Sequence, residues 1–277
     1  MVRYEPFNNT DDFFEQNGAV IEQNYFVFHN PLRLMFTEGI DVFRLYNLIG
    51  DEGSHAYCIW LSGNYYIVSF GWSEEIIEAL NEQIEIAQFR NFVFTGHKDL
   101  LLSFLEVNNA EYRVLKDRII YECLEPNALD NLPGNLVLAS PEDLDELGTM
   151  SFEYHQAEYE EEAFRDEMYM RELVEAGIEN GNIYKLVEGG VIYSMAQVIY
   201  NEPGPPLIGM LFTKPDFRGQ GHATSLVHKL TSTLIDGGSE KCGLMSDAVN
   251  EASNRVFVKV GYVPIYNQLS VSINEGQ

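Results

Sequence analysis

The run Thr213-Lys-Pro-Asp-Phe-Arg-Gly-Gln-Gly-His-Ala223 constrains the fold of this chain more than any other segment. It follows an apolar run, 207–212, that is typical of a buried strand. Apolar residues then recur three or four positions apart as far as Leu234, which predicts an amphipathic helix. A strand that enters a helix through an Arg-Gly-x-Gly turn can hold a pyrophosphate, because glycines let the backbone approach closely and the first N–H groups of the helix are unpaired. Arg218 can add a charged fork to one phosphate.

The turn alone also fits an ordinary tight loop, since two glycines and an arginine often precede a helix. The residues that follow favour the phosphate interpretation. Cys242–Asp247 predicts a second strand, and 250–260 predicts a short helix that stops at Gly261. The pattern Arg-x-x-Gly-x-Ala at 218–223, followed by Asn-x-x-x-Asn-x-x-Phe-x-Lys-x-Gly-Tyr at 250–262, resembles the two signature segments of the GNAT superfamily. Members of that superfamily are N-acyltransferases that use acetyl-CoA or another acyl-CoA.

The resemblance is specific over 205–266 and looser over 136–204. It is closest to a bacterial subgroup with two GNAT-like halves, in which the second half carries the motifs. The stretch 125–134 has two prolines, two asparagines and a glycine, which predicts a linker. We therefore expect a degenerate GNAT-like domain at 1–131, which binds no CoA, and a GNAT N-acetyltransferase domain at 132–277.

The order of predicted elements supports an α+β fold. In the first half, strands are predicted at 56–61, 65–70, 91–95 and 118–123, and helices at 73–87 and 97–107. In the second half, strands are predicted at 136–139, 183–187, 191–200, 207–212 and 242–246, with a last strand pair within 262–273. Helices are predicted at 141–151, 159–177, 221–236 and 250–260. This order is that of two GNAT-like halves, each a mixed, mostly antiparallel sheet flanked by helices.

Composition limits the partners and the compartment. The net charge of −26 argues against nucleic acid and against an anionic membrane surface. No apolar run is long enough to span a bilayer, and residues 1–12 are acidic and polar, unlike a signal peptide. Cys58, Cys123 and Cys242 are widely spaced in apolar contexts, which favours reduced thiols in a cytoplasmic protein without a metal site. The chain is expected to be a monomer or a homodimer.

The resemblance implies acetyl-CoA as co-substrate and assigns residues to it. Backbone groups of Leu211, Phe212 and Thr213 would hold the pantetheine arm, where the strand separates from its neighbour. Asn250 is placed to touch the CoA arm, although its position also suits the N-cap of a helix. The cofactor-binding set further comprises Arg218, Gly219, Gln220, Gly221, His222, Ala223, Asn254 and Phe257.

The catalytic residues are harder to assign. Many GNAT members carry a tyrosine at the position of Phe257, whose hydroxyl protonates the leaving thiolate, and phenylalanine has no such proton. The missing hydroxyl has three interpretations. Another group or water supplies the proton, the enzyme is slow, or the domain binds CoA without catalysis. Asp247 is the catalytic candidate as a general base, with Glu153 and His155 as further candidates. The residues favour a turn or cap role for Asp247 before the next helix over a catalytic one. The simpler interpretation of His155 is an exposed polar side chain.

The expected reaction is transfer of an acetyl group from acetyl-CoA to a small-molecule amine. Residues 142–175 carry thirteen acidic side chains against two arginines. Such a stretch attracts a cationic amine, although it also fits a solvated face that keeps the protein soluble. A GNAT-like sensor of acyl-CoA and a tandem-GNAT aminoacyltransferase are the alternatives; the acidity of the chain disfavours the second, which uses charged tRNA.

Overall fold

The computed structural model describes residues 1–159, 165–201 and 204–273, which form two compact units. The first unit holds Met1–Ile120, Ser246–Val249 and the chain from Pro264 onward. The second unit holds Tyr121–Met245 and Asn250–Val263. The two compact units are divided at residues other than 131/132. The domain boundary at 131/132 stays a prediction. Within the described residues, no helix is long and apolar enough to cross a membrane.

Each half of the chain has the same order of elements. The first half contains β1 (Arg3–Phe7), α1 (Thr10–Gln23), α2 (Tyr25–Met35), β2 (Val42–Ile49), β3 (His55–Leu61), β4 (Asn64–Gly71), α3 (Glu74–Gln83), β5 (Val93–His97), α4 (Lys98–Val107) and β6 (Tyr112–Cys123). The second half contains β7 (Asn135–Leu138), α5 (Leu144–Glu158), α6 (Glu167–Glu179), β8 (Ile183–Glu188), β9 (Val191–Asn201), β10 (Gly204–Thr213), α7 (His222–Asp236), β11 (Cys242–Asp247), α8 (Glu251–Val260) and β12 (Val263–Ile273).

The sheets are mixed, as expected. In the first unit the strand order is β1-β2-β3-β4-β5-β12, and in the second it is β11-β10-β9-β8-β7. Neighbours are antiparallel except for β4 with β5 and β10 with β11, which are parallel because a helix connects them. The strand β12 follows α8 in sequence but pairs with β5, from Gln268 opposite His97 to Ser272 opposite Val93. The prediction of a strand pair within 262–273 was wrong, because one continuous strand fills that segment.

Each unit has its own apolar core. In the first, α3 and α4 pack Ile76, Leu80 and Phe104 against the sheet. In the second, α5 and α6 pack Leu147 and Val174 around buried strand residues. The elements predicted from 56 to 123 and from 136 to 260 are all present, with shifted ends. The helix predicted from Pro141 starts at Leu144 after a 3-10 turn, and the first part of the helix predicted at 159–177 includes 160–164, which lie outside the described residues.

Candidate functional site

The strand β10 has a bulge near its end. Gly209 pairs with Gln197 and Phe212 with Met195, so Met210 and Leu211 together face only Ala196 of β9. Met210 has a φ of 47°, which is unusual for a residue with a side chain. The Ser151 hydroxyl of α5 lies 3.2 Å from the Met210 sulfur. The bulge therefore turns the backbone of β10 out of regular pairing at the residues that the sequence assigned to the pantetheine arm.

On its other edge, β10 leaves β11 before the bulge. The parallel register joins Leu207 to Gly243 and Ile208 to Leu244, while both strands continue beyond these pairs. The last residue of β10 is held from the β9 side, where the hydroxyls of Thr213 and Ser194 lie 2.8 Å apart. An extended acyl-carrying arm fits such an opening, because the backbone N–H and C=O groups after Ile208 have no neighbouring strand in this register.

The start of α7 has the features of an anion site. Gly219 and Gly221 have φ values of 75° and 87°, in the left-handed region that glycine favours. The first bond of the helix runs from Ser225 N to Gly221 O over 2.9 Å, so the N–H groups of 222–224 precede the helical ladder. Within the described residues no side chain caps this end, and its first turn has no acidic residue. These groups fit a pyrophosphate, which the sequence predicted for this turn.

Arg218 lies beside the turn but bonds to the strand. Its Nε donates to the carbonyl of Thr213 over 3.0 Å, and its guanidinium carbon lies 5.3 Å from the centre of the Phe212 ring. The side chain is exposed and thus reaches solvent next to the glycine turn. Contact with a phosphate stays a prediction. Gln220, also exposed, donates to the carbonyl of Asp216 over 3.1 Å and thereby tightens the same turn.

His222, the first residue of α7, is buried against β9. It is 6% exposed, and its ring stacks on Tyr193 of β9 at 4.3 Å, with Phe217 edge-on at 6.1 Å. Lys214 N also donates to the carbonyl of Tyr193 over 3.0 Å. The aromatic cluster of these side chains fixes the loop 214–222 on β9, so the sequence identified the right segment but not the buried position of His222.

The linker 125–134 contacts α7. The Ser225 hydroxyl donates to Pro133 O over 2.6 Å, and the Lys229 ammonium donates to Gly134 O. His228 Nε2 is 2.9 Å from Asn127 O. A side chain on Gly221 would meet Pro133 Cγ at 4.0 Å. The segment predicted as a linker is therefore bound along α7 as far as the glycine turn.

The helix α8 begins and packs as its sequence suggests. The side chain of Asn250 accepts from Ser253 N over 3.1 Å, so the N-cap interpretation is confirmed, and its contact with CoA stays a prediction. Asn254 is half-buried one turn further on. Phe257 is 5% exposed and lies between Tyr121 at 5.8 Å and Tyr262 at 6.3 Å, measured between ring centres. The residue that replaces the expected tyrosine is thus enclosed by two other tyrosines.

The three base candidates lie in different settings. Asp247 ends β11, and its Oδ1 accepts from Val249 N over 3.0 Å, which is a turn interaction. Glu153 is exposed on α5. The prediction that His155 is exposed was wrong: it is 7% exposed, stacks on Tyr159 at 4.8 Å and accepts from Arg165 N at Nε2 over 3.0 Å. That bond uses the lone pair that a base needs, so it argues against His155.

Part of the acidic stretch 142–175 is neutralised by ion pairs. Asp143 lies 2.5 Å from Lys185, Asp145 lies 2.7 Å from Arg171, and Glu146 pairs with Lys214 in the loop before α7. Glu142 and Glu153 on the α5 side, and Glu167, Glu172 and Glu175 on α6, are exposed. The exposed carboxylates of the described part of this stretch therefore lie on both helices, with three of them on α6.

The equivalent place in the first unit is closed. The β4–β5 register ends at Ile67 opposite Gly96, while β4 continues to Gly71. Tyr266 of β12 fills the opening: Ser69 N donates to its hydroxyl over 3.3 Å, and its ring lies 5.4 Å from His97. The helix α3 starts with Glu74 and Glu75, and both lie in a cleft of about 610 Å³ that also contains Asp51 and Glu52. Carboxylates at a helix N-terminus repel a phosphate.

Known structures share this fold. Residues 186–271 match the family model described as FR47-like protein. An acetyltransferase from the GNAT family of Colwellia psychrerythraea is 13% identical, with 98% of this chain and 100% of that chain covered at a TM-score of 0.58. A GCN5-related N-acetyltransferase from Sphaerobacter thermophilus is 15% identical, with 100% and 97% covered at a TM-score of 0.56. No curated protein matches the chain in sequence.

The fold is thus that of GNAT acetyltransferases, and the likeness extends along both halves of the chain. The part that matches the FR47-like model contains the bulged strand, the glycine turn and the helix with Asn250. The predicted resemblance to two-domain GNAT proteins is confirmed.

Proposed function

We propose that this protein is an N-acetyltransferase that transfers the acetyl group of acetyl-CoA to a primary amine. The start of α7 carries the proposal. Two left-handed glycines there precede N–H groups that no helical carbonyl or side chain among the described residues accepts. An anionic cofactor satisfies those groups and is favoured by the helix dipole.

In this proposal the pyrophosphate binds the N–H groups after Gly219, and the pantetheine arm lies along β10 from Thr213 towards the bulge. Backbone N–H groups near Leu211 polarise the thioester carbonyl, which makes its carbon more electrophilic. The amine nitrogen then bonds to that carbon, the carbon–sulfur bond breaks, and CoA leaves as a thiolate that takes a proton from water. Asp247 at the end of β11 is the candidate base that accepts the proton of the amine.

We further propose a cationic acceptor, because the exposed carboxylates of α6 raise the local concentration of a cation. Among the described residues, Arg171 and Lys214 form ion pairs with Asp145 and Glu146 of α5, while Glu167, Glu172 and Glu175 of α6 stay exposed. The rate constant at low substrate should fall as salt rises, since exposed charges are screened over about 10 Å at 0.1 M ionic strength. Glu172→Gln with Glu175→Gln should reduce both that rate constant and its salt dependence. Equal rates with spermidine and glutamate at low salt would contradict a cationic acceptor.

The proposal is tested by incubating the protein with acetyl-CoA and a panel of amines, with release of free thiol as the readout. A Gly221→Glu variant is the matched control, because it places a negative charge at the turn where the pyrophosphate would bind and changes no other residue. Thiol release that requires an amine and is lost in the variant supports the transferase. Binding of acetyl-CoA without thiol release favours the acyl-CoA sensor, for which the absence of a hydroxyl at Phe257 is the specific observation.

A further inference from the structure

The linker 125–134 lies in the second unit and is anchored near both of its ends. Near the first end, Asn127 N donates to Val260 O over 2.7 Å. At the other end, Gly134 has a φ of 67°, and a Cβ on this residue would lie 2.9 Å from Leu186 Cγ. Glycine favours this φ and leaves room for the leucine, so the chain enters β7 at a defined place.

Three successive carbonyls of the linker face one side chain of α7. The ammonium of Lys229 lies 3.5 Å from Leu132 O and from Pro133 O, and it donates to Gly134 O. The hydroxyl of Ser225, which is fully buried, donates to Pro133 O over 2.6 Å. A charged donor and a buried hydroxyl thus hold the same carbonyl, and hydrogen bonds to charged groups are the stronger kind.

The ring of Pro133 consequently lies beside the glycine turn. Its Cγ is 4.0 Å from the position that a Cβ on Gly221 would take, and the ring is half-buried. From Pro133 the chain continues into β7, at the opposite edge of the second unit's sheet from β11, whereas the proposed pantetheine path follows β10. The ring therefore borders the turn on the β7 side, where the nucleotide part of a cofactor is within reach.

We propose that Pro133 contacts bound acetyl-CoA and that Ser225 and Lys229 position it for this contact. This inference rests on the proposed function. The ring packs against the nucleotide part of the cofactor and excludes water from the N–H groups of 222–224, which strengthens their bonds to the pyrophosphate. Since the docked linker and the cofactor share a contact, each stabilises the bound state of the other by the same factor.

The first test compares Pro133→Ala with Pro126→Ala, which removes the other proline ring of the linker. Pro133→Ala keeps the carbonyl that Ser225 and Lys229 hold, so the linker stays in place. Calorimetric titration should show that Pro133→Ala binds acetyl-CoA about 5-fold to 10-fold more weakly, as expected for the loss of a small apolar contact. Pro126→Ala should bind as the wild type does. Equal affinities of the two variants would overturn the contact.

The same titrations with two fragments locate the contact on the cofactor. ADP carries the nucleotide part alone, and pantetheine carries the arm alone. Pro133→Ala should weaken the binding of ADP by the same factor as that of acetyl-CoA and should leave the binding of pantetheine unchanged. A loss of affinity for pantetheine with none for ADP would overturn the assignment to the nucleotide part.

The second test measures the coupling by proteolysis. Thermolysin cleaves before leucine, and the linker must leave α7 before Leu129 or Leu132 can enter the protease. Saturating acetyl-CoA should slow this cleavage about 5-fold to 10-fold in the wild type, which is the factor that the ring adds to affinity, and not in Pro133→Ala. Without ligand, Ser225→Ala should be cleaved faster than the wild type. Ser232→Ala is its matched control, because that hydroxyl bonds within α7 itself.

The outcomes separate this inference from the proposed function. Equal protection by saturating acetyl-CoA in the wild type and in Pro133→Ala would mean that the cofactor stabilises the whole fold, which overturns the contact and leaves the transferase standing. Weaker binding in Pro133→Ala, in a protein that releases no thiol with any amine, would keep the contact and refute the transferase. A wild type that binds neither acetyl-CoA nor ADP would overturn both.

Discussion

Substitution of Gly221 separates the backbone role of the turn from its charge preference. Gly221 and Gly238 lie at the two ends of α7 with φ values of 87° and 104°. A Cβ on Gly221 would meet its nearest neighbour at 4.0 Å, and one on Gly238 would meet nothing within 4 Å. A side chain at either position therefore costs only the left-handed backbone, about 1–2 kcal/mol of folding free energy.

The charge of the side chain at position 221 determines the loss of affinity for acetyl-CoA. A carboxylate at 221 lies against the pyrophosphate, and one pair of like charges at about 4 Å costs between about 1 and 4 kcal/mol, depending on exposure. Taking about 2 kcal/mol, Gly221→Glu should bind acetyl-CoA about 30-fold more weakly than Gly221→Gln, which has the same shape. The helix dipole favours a negative charge at the N-terminus of α7. Gly221→Glu should therefore be at least as stable as Gly221→Gln, although it binds acetyl-CoA more weakly.

Calorimetric titration with acetyl-CoA, together with urea unfolding, measures both quantities. Gly238→Glu is the control, and we expect it to keep the affinity of the wild type at a similar loss of stability. Equal affinities of Gly221→Glu and Gly221→Gln would refute the placement of an anion at this turn. Equal losses of affinity in the Gly221 and Gly238 variants would mean that helix stability alone is measured.

Three further predictions follow from buried or strained residues. Met210→Val should destabilise the protein by about 1–3 kcal/mol, and more than Met210→Gly, because only glycine relieves a positive φ; urea unfolding of both variants measures the difference. Burial lowers the pKa of His29 from 6.5 to about 4. The unfolded chain therefore binds more protons between these pH values, and the free energy of unfolding should fall by up to about 1.4 kcal/mol per unit as pH drops from 6.5 to 4, but less steeply in His29→Phe. Titration should give one CoA per chain, since Tyr266 fills the first opening and Glu74 and Glu75 begin its helix; a value near two would contradict this.

The sequence was most informative where local chemistry determines structure. The Arg-Gly-x-Gly turn, the helix to Asp236 and the cap at Asn250 depend on backbone freedom, periodicity and a short side chain, all of which are visible in the residues. No element was predicted before residue 56, where the structure has β1, α1, α2 and β2. The helix α2 contains Pro31, a residue type that usually ends a helix.

Features that depend on distant partners could not be predicted. The apolar pattern of 263–273 indicates a strand, but it does not say that the strand pairs with β5. Methionine has no preference for positive φ, so nothing at Met210 marks the bulge. His155 stands among polar residues, and only the packing of α5 shows that it is buried.

Thermal unfolding of the wild type in the presence of acetyl-CoA tests the central claim most directly, namely that the turn at the start of α7 binds this cofactor. A ligand that binds only the folded state at 100 times its dissociation constant adds about 2.7 kcal/mol of stability. For a chain of this size we expect a rise in Tm of about 5–10 °C. The Gly221→Glu variant should show a much smaller rise at the same concentration. An unchanged Tm of the wild type at saturating acetyl-CoA would contradict the account.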